Sequence, residues 1–452
     1  MKKCFVILLS VVSISIGCTA QNKKQVKKPK IISDSALLDL VQKQTFQYFW
    51  NGAEPTSGLG RERFHSDNIY PDHDKSTVTS GGAGFGVMAI LVAIERKFIT
   101  RQQGRLRLEK IIHFLETADR FHGAWPHWWN GETGKVKPFS PDDNGADLVE
   151  TSYMIQGLLC ARQYFKDGDE TETSLAQRID KLWKEVEYDW FRNGKNVLFW
   201  HWSPDKGWKM NFQVHGYNEC LIMYVLGASS PTHSIPAEVY NEGWAEKGFI
   251  KFDTTIYGYP LQLRRQGGTS TVTGGPLFWS QYSYLGLDPR GLKDQYADYW
   301  KENVDQSMIN YTWCVNNSKK FKGYGPDNWG LTSSYSIDGY AGHAPGNEND
   351  LGVISPTAAL SSFPYTPAQS MAAMKHWYYD MNNKLWGEYG FYDAFSETAN
   401  WYLPRYLAID QGPAVVMMEN YRSGLLWKLF MSCPEIQDGL KKLGFESPWI
   451  KK

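Results

Sequence analysis

The sequence has no excess of charge of either sign and no motif built on cysteine. Lysine and arginine together number 48, as do aspartate and glutamate, so the formal net charge is zero. This balance does not favour a nucleic acid or an anionic membrane as a partner. No CxxC pair occurs, which argues against a zinc site or a redox centre. Beyond the N-terminal segment the cysteines are widely separated in apolar surroundings, and we expect buried free thiols at Cys160, Cys220, Cys314 and Cys433.

Sequence motifs of several enzyme classes are also missing. The chain contains neither HExxH nor GxSxG, which excludes the usual metalloprotease and α/β-hydrolase sites. The stretch "TSGGAGFG" (79–86) lacks the GxGxxG spacing and a preceding strand. We expect it to open a helix and to permit close helix packing or the approach of a ligand. The stretch "DDNGADLVE" (142–150) is too short for a calcium-binding loop. We therefore predict neither a metal nor a cofactor.

The N-terminus has the pattern of an export signal. "MKKCFVILLSVVSISIGCTAQ" places two lysines before an apolar run and then small residues, which predicts a signal peptide over 1–20. "SIGC" resembles a lipoprotein box that would lipidate Cys18, and cleavage after Ala20 is the alternative. Residues 21–31 are polar and basic, as in a linker. This pattern predicts a periplasmic or outer-membrane protein, peripheral to the membrane only if it is lipidated.

The rest of the chain, 32–452, predicts one helical domain. Apolar residues follow helical spacing at Leu108, Ile111, Ile112 and Leu115. Long loops rich in glycine and aspartate connect the helices, and no break in composition indicates a second domain. Helices of this length favour an all-α closed ring of helical hairpins. Further helices are expected over 145–165, 175–190, 213–227, 292–311, 366–380 and 413–431, the last with Pro413 in its first turn, and a small β insert over 249–265.

Three acidic residues cluster where one of these helices is expected to begin. Asp143 and Asp147 are four residues apart, so they share one side of a first turn that starts near Asn144, and Glu150 continues the stripe. One interpretation is helix capping, because acids stabilise helix N-termini. The other is a carbohydrate site, because clustered acids repel one another unless they serve a function. The preceding loop adds tryptophans that suit sugar rings: Trp125, Trp128 and Trp129.

A second acid, Glu219, lies in a segment with little other charge. It precedes Cys220 and two aliphatic residues, and burial there would raise the pKa of its carboxyl group. A raised pKa suits a general acid near neutral pH. The alternative is a buried glutamate hydrogen-bonded to His215 or Tyr217. The segment before it supplies more aromatic residues, including Trp208.

Two later loops combine acids with aromatic residues. "SSYSIDGYAGHAPGNENDLG" (333–352) contains Tyr335 and His343 among glycines. "WGEYGFYDAFSETANWY" (386–402) contains Asp393. Loops of this composition are typical of recognition surfaces on a rigid scaffold.

Taken together, several stretches resemble one enzyme family. "TFQYFWNGAEPTSGLGRER", "TSGGAGFGVMAI", "GAWPHWWNGETGK", "DLVETSYMIQGLLCARQYF" and "VHGYNE" are similar to the glucoamylase-like proteins of glycoside hydrolase family 144, in the family's order. The resemblance implies a single (α/α)6 barrel. It also implies inverting hydrolysis of β-1,2-glucan, by an enzyme that is either endo-acting or a sophorose-releasing exo-enzyme. We expect a monomer. By the same resemblance, the acids of the cleft are Asp143, Asp147 and Glu219.

Within that resemblance we assign expected roles. Glu219 is the expected general acid, and Asp143 or Asp147 polarises the attacking water, with Asp393 as a reserve base. The expected substrate-binding residues are Trp125, Trp129, Trp208, Tyr335, His343 and Glu150. Two alternatives stay open: an exo-α-glucosidase of the glucoamylase type, and a non-catalytic glycan-binding lipoprotein.

Overall fold

A computed structural model describes residues 29–70, 74–266, 273–346, 348 and 350–450. The predicted signal peptide, Cys18 and most of the predicted linker lie outside these residues. The described chain is rich in helix. The α-helices within it are α1 (Asp34–Trp50), α2 (Ser80–Glu95), α3 (Arg101–Thr117), α4 (Leu148–Phe165), α5 (Glu170–Lys184), α6 (Leu221–Ser229), α7 (Tyr299–Asn316), α8 (Pro356–Ser361), α9 (Pro367–Tyr379), α10 (Asn382–Leu385), α11 (Ala408–Arg422), α12 (Leu425–Met431) and α13 (Pro434–Lys442).

The strands are short and pair antiparallel between neighbouring loops. They are β1 (Arg63–His65), β2 (Thr77–Thr79), β3 (Trp128–Asn130), β4 (Val136–Lys137), β5 (Ala146–Asp147), β6 (His201–Trp202), β7 (Lys251–Ile256), β8 (Tyr259–Leu263), β9 (Ser333–Ser336), β10 (Gly339–Gly342), β11 (Trp386–Gly387), β12 (Gly390–Phe391), β13 (Phe395–Ser396), β14 (Trp401–Tyr402) and β15 (Arg405–Leu407). The hairpin β7–β8 is the β insert predicted over 249–265. Most of the others are too short to produce a visible alternation of apolar and polar residues.

Several predicted helix boundaries are wrong. Helices α5 and α7 span Glu170–Lys184 and Tyr299–Asn316 rather than 175–190 and 292–311. Helix α4 begins at Leu148 rather than near Asn144, because residues 146–147 pair with β6 and Asp147 is the N-cap. Residues 213–220 are not helical, and α6 starts only after Glu219. The helix predicted over 413–431 is two helices, since Gly424 adopts a positive φ of 68° between them. Pro413 lies inside α11 rather than in a first turn.

The helices differ in how much of their surface is buried. In α2, α4, α6 and α8 nearly every residue is buried. Helices α5 and α13 instead bury a single apolar face, which is the pattern of helices at a protein surface. Helix α2 packs against α4 and α11, α4 also packs against α6, and α11 against α8. Among the described residues, no helix combines the length and the apolar composition needed to cross a bilayer.

Glycines allow α2 and α4 to approach each other closely. A Cβ atom at Gly84 would lie 2.5 Å from the Cα of Met154, and one at Gly157 would lie 2.2 Å from the carbonyl oxygen of Gly84. Both contacts involve backbone atoms that cannot move aside. The expectation that "TSGGAGFG" opens a helix and permits close packing is therefore confirmed. The four cysteines of the described chain are buried and free, as predicted.

Candidate active site

A cavity of about 550 Å³ opens beside the N-termini of α2 and α4. Three carboxylate residues border it: Glu62, Glu150 and Glu219. Its apolar walls are aromatic and come from distant parts of the chain: Trp128, Phe139, Trp200, Phe278, Tyr335 and Tyr340. Aromatic walls with a few convergent carboxylates are typical of a site for a small polar ligand with an apolar face, such as a sugar.

Glu150 occupies the first turn of α4, where two helix N-termini meet. Its Oε2 atom accepts a hydrogen bond of 2.9 Å from the backbone N–H of Gly81, in the first turn of α2. Unpaired N–H groups at helix N-termini favour a negative charge. Burial nevertheless raises the pKa of Glu150 to about 7, with nearby His127 lowering it and Asp147 raising it. The carboxylate of Glu150 thus accepts a hydrogen bond from the Gly81 N–H, and the residue also borders the cavity.

Glu219 has a different environment. It lies immediately before α6, and burial raises the pKa of its carboxyl group to about 7, with the charge of Glu150 contributing in the same direction. Its Oε2 atom is buried and has no hydrogen-bond partner. The two partners considered from the sequence are engaged elsewhere: His215 Nδ1 lies 3.2 Å from the carbonyl oxygen of Gly243, and Tyr217 donates to Asn303 at 2.5 Å. One oxygen of the Glu219 carboxyl group is therefore without a partner among the described residues, and the residue borders the cavity.

The backbone that carries Glu219 is fixed by neighbouring segments. The N–H of Tyr217 donates to the carbonyl oxygen of Arg264 at 2.9 Å, and the guanidinium of Arg265 lies 4.4 Å from the Tyr217 ring centroid. The Glu219 carbonyl oxygen accepts hydrogen bonds from the hydroxyl groups of Tyr153 and Ser283. These contacts hold the residue at the cavity although it lies in a loop.

Asp147 does not border the cavity, and its two oxygens are occupied. Oδ1 accepts from the N–H of Glu150 at 2.9 Å, which caps α4. Oδ2 lies 3.0 Å from His127 Nδ1 and accepts from Trp200 Nε1 at 3.1 Å. Although burial opposes ionisation, the His127 hydrogen bond and the charge of His201 lower the pKa of Asp147. Asp147 is therefore the helix cap, and Glu150 is the residue of this first turn that borders the cavity.

Asp143 completes a network of two acids and two histidines. Its Oδ2 atom lies 3.3 Å from His201 Nε2 and 4.0 Å from His127 Nδ1. His127, Asp143 and Asp147 offer potential ligand atoms within 4.8 Å of one another, a spacing also found in metal sites. Here these atoms contact each other directly as ion pairs and hydrogen bonds, and the two histidines can balance the charges of the two aspartates. We therefore describe the cluster as an ion-pair network.

Two of the tryptophans expected as sugar platforms are in the core, and the third, Trp208, is partly buried against it. Trp125 and Trp129 are fully buried, and their indole N–H groups donate to the backbone carbonyls of Leu115 and Asp119, each at 3.2 Å. Trp208 packs on Trp190, with ring centroids 4.8 Å apart. None of the three borders the cavity. Trp129 faces the core because neighbouring residues of a strand point to opposite faces, and in β3 the residue that faces the cavity is Trp128.

The later loops contribute one expected residue to the cavity wall. Tyr335 borders it, and its hydroxyl group lies 2.7 Å from His65 Nε2. His343 is buried away from the cavity, its ring nitrogens have no hydrogen-bond partner, and burial lowers its pKa to about 4. Asp393 is also fully buried. Its Oδ2 atom accepts from the N–H of Tyr335 at 2.8 Å, and burial raises its pKa to about 6 beside a second buried acid, Asp410.

Sequence reasoning missed several residues of the cavity. His127 stands in a segment that was considered only for its tryptophans. Trp200 is one of the aromatic residues of the segment before Glu219, but it was given no role of its own, and Phe278 and Tyr282 stand in a segment with no expected role. His127 could have been singled out as the histidine of "WPHWWN", one residue before a short strand. Nothing in the local sequence of the other three indicates the cavity.

Comparisons with known proteins indicate the family of the chain. Residues 211–434 match a family described as putative glucoamylase. The chain is 45% identical over 432 residues to an exo-β-1,2-glucooligosaccharide sophorohydrolase (non-reducing end) of Parabacteroides distasonis. That alignment covers 91% of this chain and 58% of the relative, so the chain spans little more than half of that protein.

Solved structures are similar over their whole length. An endo-β-1,2-glucanase from Chitinophaga pinensis, in complex with sophorotriose and glucose, is 68% identical, with a TM-score of 0.92 over 93% of this chain and 100% of that one. A putative glucoamylase from Bacteroides caccae is 59% identical, with a TM-score of 0.90 over 92% of this chain and 100% of that one. With this identity over complete chains, the protein belongs to the glucoamylase-like glycosidases of glycoside hydrolase family 144.

Proposed function

We propose that the protein hydrolyses β-1,2-linked glucan with inversion at the anomeric carbon. The observation that carries this proposal is the pair Glu150 and Glu219, two carboxylates in contrasting environments on one aromatic cavity. The names of the relatives from P. distasonis and C. pinensis support β-1,2-linked glucose as the substrate. The proposed catalytic pair argues against a purely glycan-binding protein, and the β-1,2 linkage named for the relatives from P. distasonis and C. pinensis argues against an exo-α-glucosidase.

In this proposal Glu219 is the general acid and Glu150 is the general base. Two carboxyl groups that interact do not ionise equally, and the one with better donors loses its proton first. Glu150 has the Gly81 N–H and the charge of His127, whereas the free oxygen of Glu219 has neither. Glu219 therefore holds the proton and passes it to the glycosidic oxygen. Glu150 removes a proton from a water that attacks the opposite face of the sugar.

Asp143 and Asp147 have supporting roles in this mechanism rather than the role of base. A base must reach the attacking water, and Asp147 is fully buried with both oxygens occupied. Its contacts instead fix the first turn of α4, which carries Glu150. Asp393 is likewise buried behind Tyr335, which removes it from contact with a ligand.

We also propose the (α/α)6 barrel as the architecture. The packing supports it: the inner positions would be α2, α4, α6, the segment 277–284, α8 and α11. The segment 277–284 joins this series through Gln281, which donates to Ala358 and Ser362 of α8 and its C-terminus. Helices α1, α3, α5, α13, α7 and α9 would form the outer layer. Such a barrel presents inner-helix N-termini at one end, where Glu150 lies.

The catalytic assignment is tested by substituting each glutamate and changing the leaving group. Glu219→Gln should lower kcat on linear β-1,2-glucan by about 10²-fold or more, because the leaving sugar is no longer protonated. An aryl β-sophoroside with an acidic phenol needs no such proton, so this variant should retain most of its activity on that substrate. Glu150→Gln should lose activity on both substrates. Similar losses of both variants on both substrates would contradict the assigned roles.

The products decide the mode of attack and the stereochemistry. We propose internal attack, because the endo-acting relative from C. pinensis is 68% identical to this chain, whereas the exo-acting relative from P. distasonis is 45% identical. A time course should then give a ladder of oligosaccharides, and NMR of the first products should show the α-anomer. Sophorose alone from the start would indicate terminal attack, and an initial β-anomer would exclude inversion.

We further propose that the protein is exported. The support is the N-terminal pattern of two lysines, an apolar run and the small residues before Cys18. A periplasmic or outer-membrane location would bring the enzyme to polymeric glucan outside the cytoplasm.

A further inference from the structure

His127 lies on the cavity wall between the acids of the ion-pair network and Glu150. Its Nδ1 atom is 3.0 Å from Asp147 Oδ2 and 4.0 Å from Asp143 Oδ2. Its ring stacks on that of Phe139, with centroids 4.3 Å apart and an interplanar angle of 26°. His127 also borders the cavity. A hydrogen bond at one edge of its ring and stacking on one face hold the ring in position.

The charges that face His127 are predominantly negative. Although burial opposes protonation, Glu150, Asp147 and Asp143 together raise the pKa of His127 to about 9. On the other side of the network, His201 Nε2 lies 3.3 Å from Asp143 and 3.6 Å from Asp147, and so shares their charge.

Among the groups near Glu150, His127 is the main source of positive charge. The charges of Asp147 and Asp143 raise the pKa of Glu150. The charge of Glu150 in turn raises the pKa of Glu219. The phenols of Tyr153 and Tyr282 are neutral, since burial raises their pKa values far above the ordinary range. The Gly81 N–H also stabilises the carboxylate, and the other charged residues that border the cavity are Glu62, Arg63 and Arg405.

We propose that His127 is a positioning residue that, as an imidazolium held by Asp147, keeps Glu150 ionised and in place as the catalytic base. The inference rests on the proposed function, because it acts through Glu150. One aspartate serves both groups: Asp147 binds the imidazolium through Oδ2 and the Glu150 backbone through Oδ1. The cation and the base are thereby fixed relative to each other by a single side chain.

The consequence for the pH profile has a definite sign. His127 is protonated below about pH 9, so its charge is present throughout the range in which Glu150 titrates. That charge favours the ionised form of Glu150 and lowers the pKa of the carboxyl group. Without it the pKa of Glu150 rises, and the acid limb of kcat/KM, which reports the base in the free enzyme, moves to higher pH.

The test compares the pH profiles of His127→Gln and His122→Gln. His122 forms the same kind of pair, with Nδ1 3.0 Å from Glu187, outside the cavity, and so gives a matched control. We expect His127→Gln to move the acid limb upward by about one pH unit, which is about a tenfold loss of kcat/KM below the optimum. His122→Gln should leave the limb in place. A uniform loss of activity in His127→Gln, with an unmoved limb, would overturn the inference.

A second measurement does not depend on folding of the variant or on turnover. In the ¹⁵N NMR spectrum of the wild-type protein, the His127 side chain should remain protonated at both nitrogens at pH 7.5. A neutral His127 at that pH would also overturn the inference. If the wild-type protein does not cleave β-1,2-glucan, the proposed function fails while this titration still reports on His127.

Discussion

At the scale of single residues, the position of a tryptophan on one short strand decides its role. Trp128 and Trp129 are adjacent in sequence, yet Trp128 borders the cavity and Trp129 is fully buried. The guanidinium of Arg63 lies 5.7 Å from the Trp128 ring centroid, which keeps one face of that ring in a polar setting. Trp129 instead packs edge-on against Phe114, with centroids 5.6 Å apart.

Substituting each tryptophan by alanine should separate the two roles. Trp129→Ala leaves a large cavity in the core and should lower the free energy of unfolding by about 3–5 kcal/mol, with little change in KM. Trp128→Ala removes apolar surface from the cavity wall and should raise KM on β-1,2-gluco-oligosaccharides with a smaller loss of stability. Thermal unfolding and initial-rate kinetics measure both effects. Raised KM in Trp129→Ala and an unchanged KM in Trp128→Ala would reverse the assignment.

The same scale shows how far local sequence predicts the site. The apolar neighbours of Glu219 correctly predicted a buried carboxyl group with a raised pKa. Of the acidic cluster at 143–150, only Glu150 borders the cavity, whereas Asp143 and Asp147 were expected to do so. Which acid faces the cavity depends on where the helix begins. Because α4 begins at Leu148, Asp147 is its N-cap and Glu150 borders the cavity. The contributions of Phe278 and Tyr282 depend on contacts between distant segments, which periodicity does not reveal.

At the scale of elements, the crossing of α2 and α4 sets the geometry of the cavity floor. The two helices carry the Gly81 N–H and Glu150 in their first turns, and these groups are joined by a hydrogen bond. Further along, Gly84 and Gly157 let the backbones touch. Any increase in the spacing of the helices would therefore also lengthen the contact that holds Glu150.

Adding a side chain at this crossing should reduce both stability and activity. In Gly157→Ala the new Cβ would meet the Gly84 carbonyl oxygen at 2.2 Å, so the helices must separate. We expect a loss of about 1–3 kcal/mol in the free energy of unfolding, with a lower kcat in the folded fraction. The control is Gly227→Ala in α6, where the nearest atom is Ile235 Cδ1 at 3.0 Å, at the end of a flexible side chain. Equal effects of the two substitutions, measured by denaturant unfolding, would contradict this account.

The elements also differ in how well the sequence predicts them. In long amphipathic helices such as α3 and α5, apolar residues recur at helical spacing in the sequence, so the existence of these helices was predicted. Helices that are buried on all sides, such as α2 and α6, show little periodicity, so their ends could not be read from it. Strands of two or three residues leave no pattern, and the four-residue strands β9 and β10 lie in a glycine-rich segment that was predicted as a loop, so only β7–β8 was expected.

At the scale of the whole molecule, the cavity is assembled from nearly the entire described chain. Its wall includes Glu62 near one end and Ile409 near the other. The two ends meet where β1 pairs with β15, with Arg63 opposite Leu407 and His65 opposite Arg405. The overall helical class and the family followed from the sequence, since motifs spread along the chain contribute together. The cavity itself required the tertiary structure.

The proposed export can be tested on the intact protein. If Cys18 is lipidated, cells fed a labelled fatty acid should incorporate the label into the wild-type protein and not into Cys18→Ala. The variant should then fractionate with soluble periplasmic proteins, because a lipid anchor would be its main attachment to the membrane. Cleavage after Ala20 predicts no label in either protein, and retention of both in the cytoplasm would refute export.

The pairing of β1 with β15 has a consequence for synthesis of the protein. Arg63 leaves the ribosome long before its strand partner at 405–407. The nascent chain therefore has no finished cavity until residues 405–407 have emerged. A proteolytic fragment that lacks either strand should be unable to bind glucan, even if its remaining helices still fold.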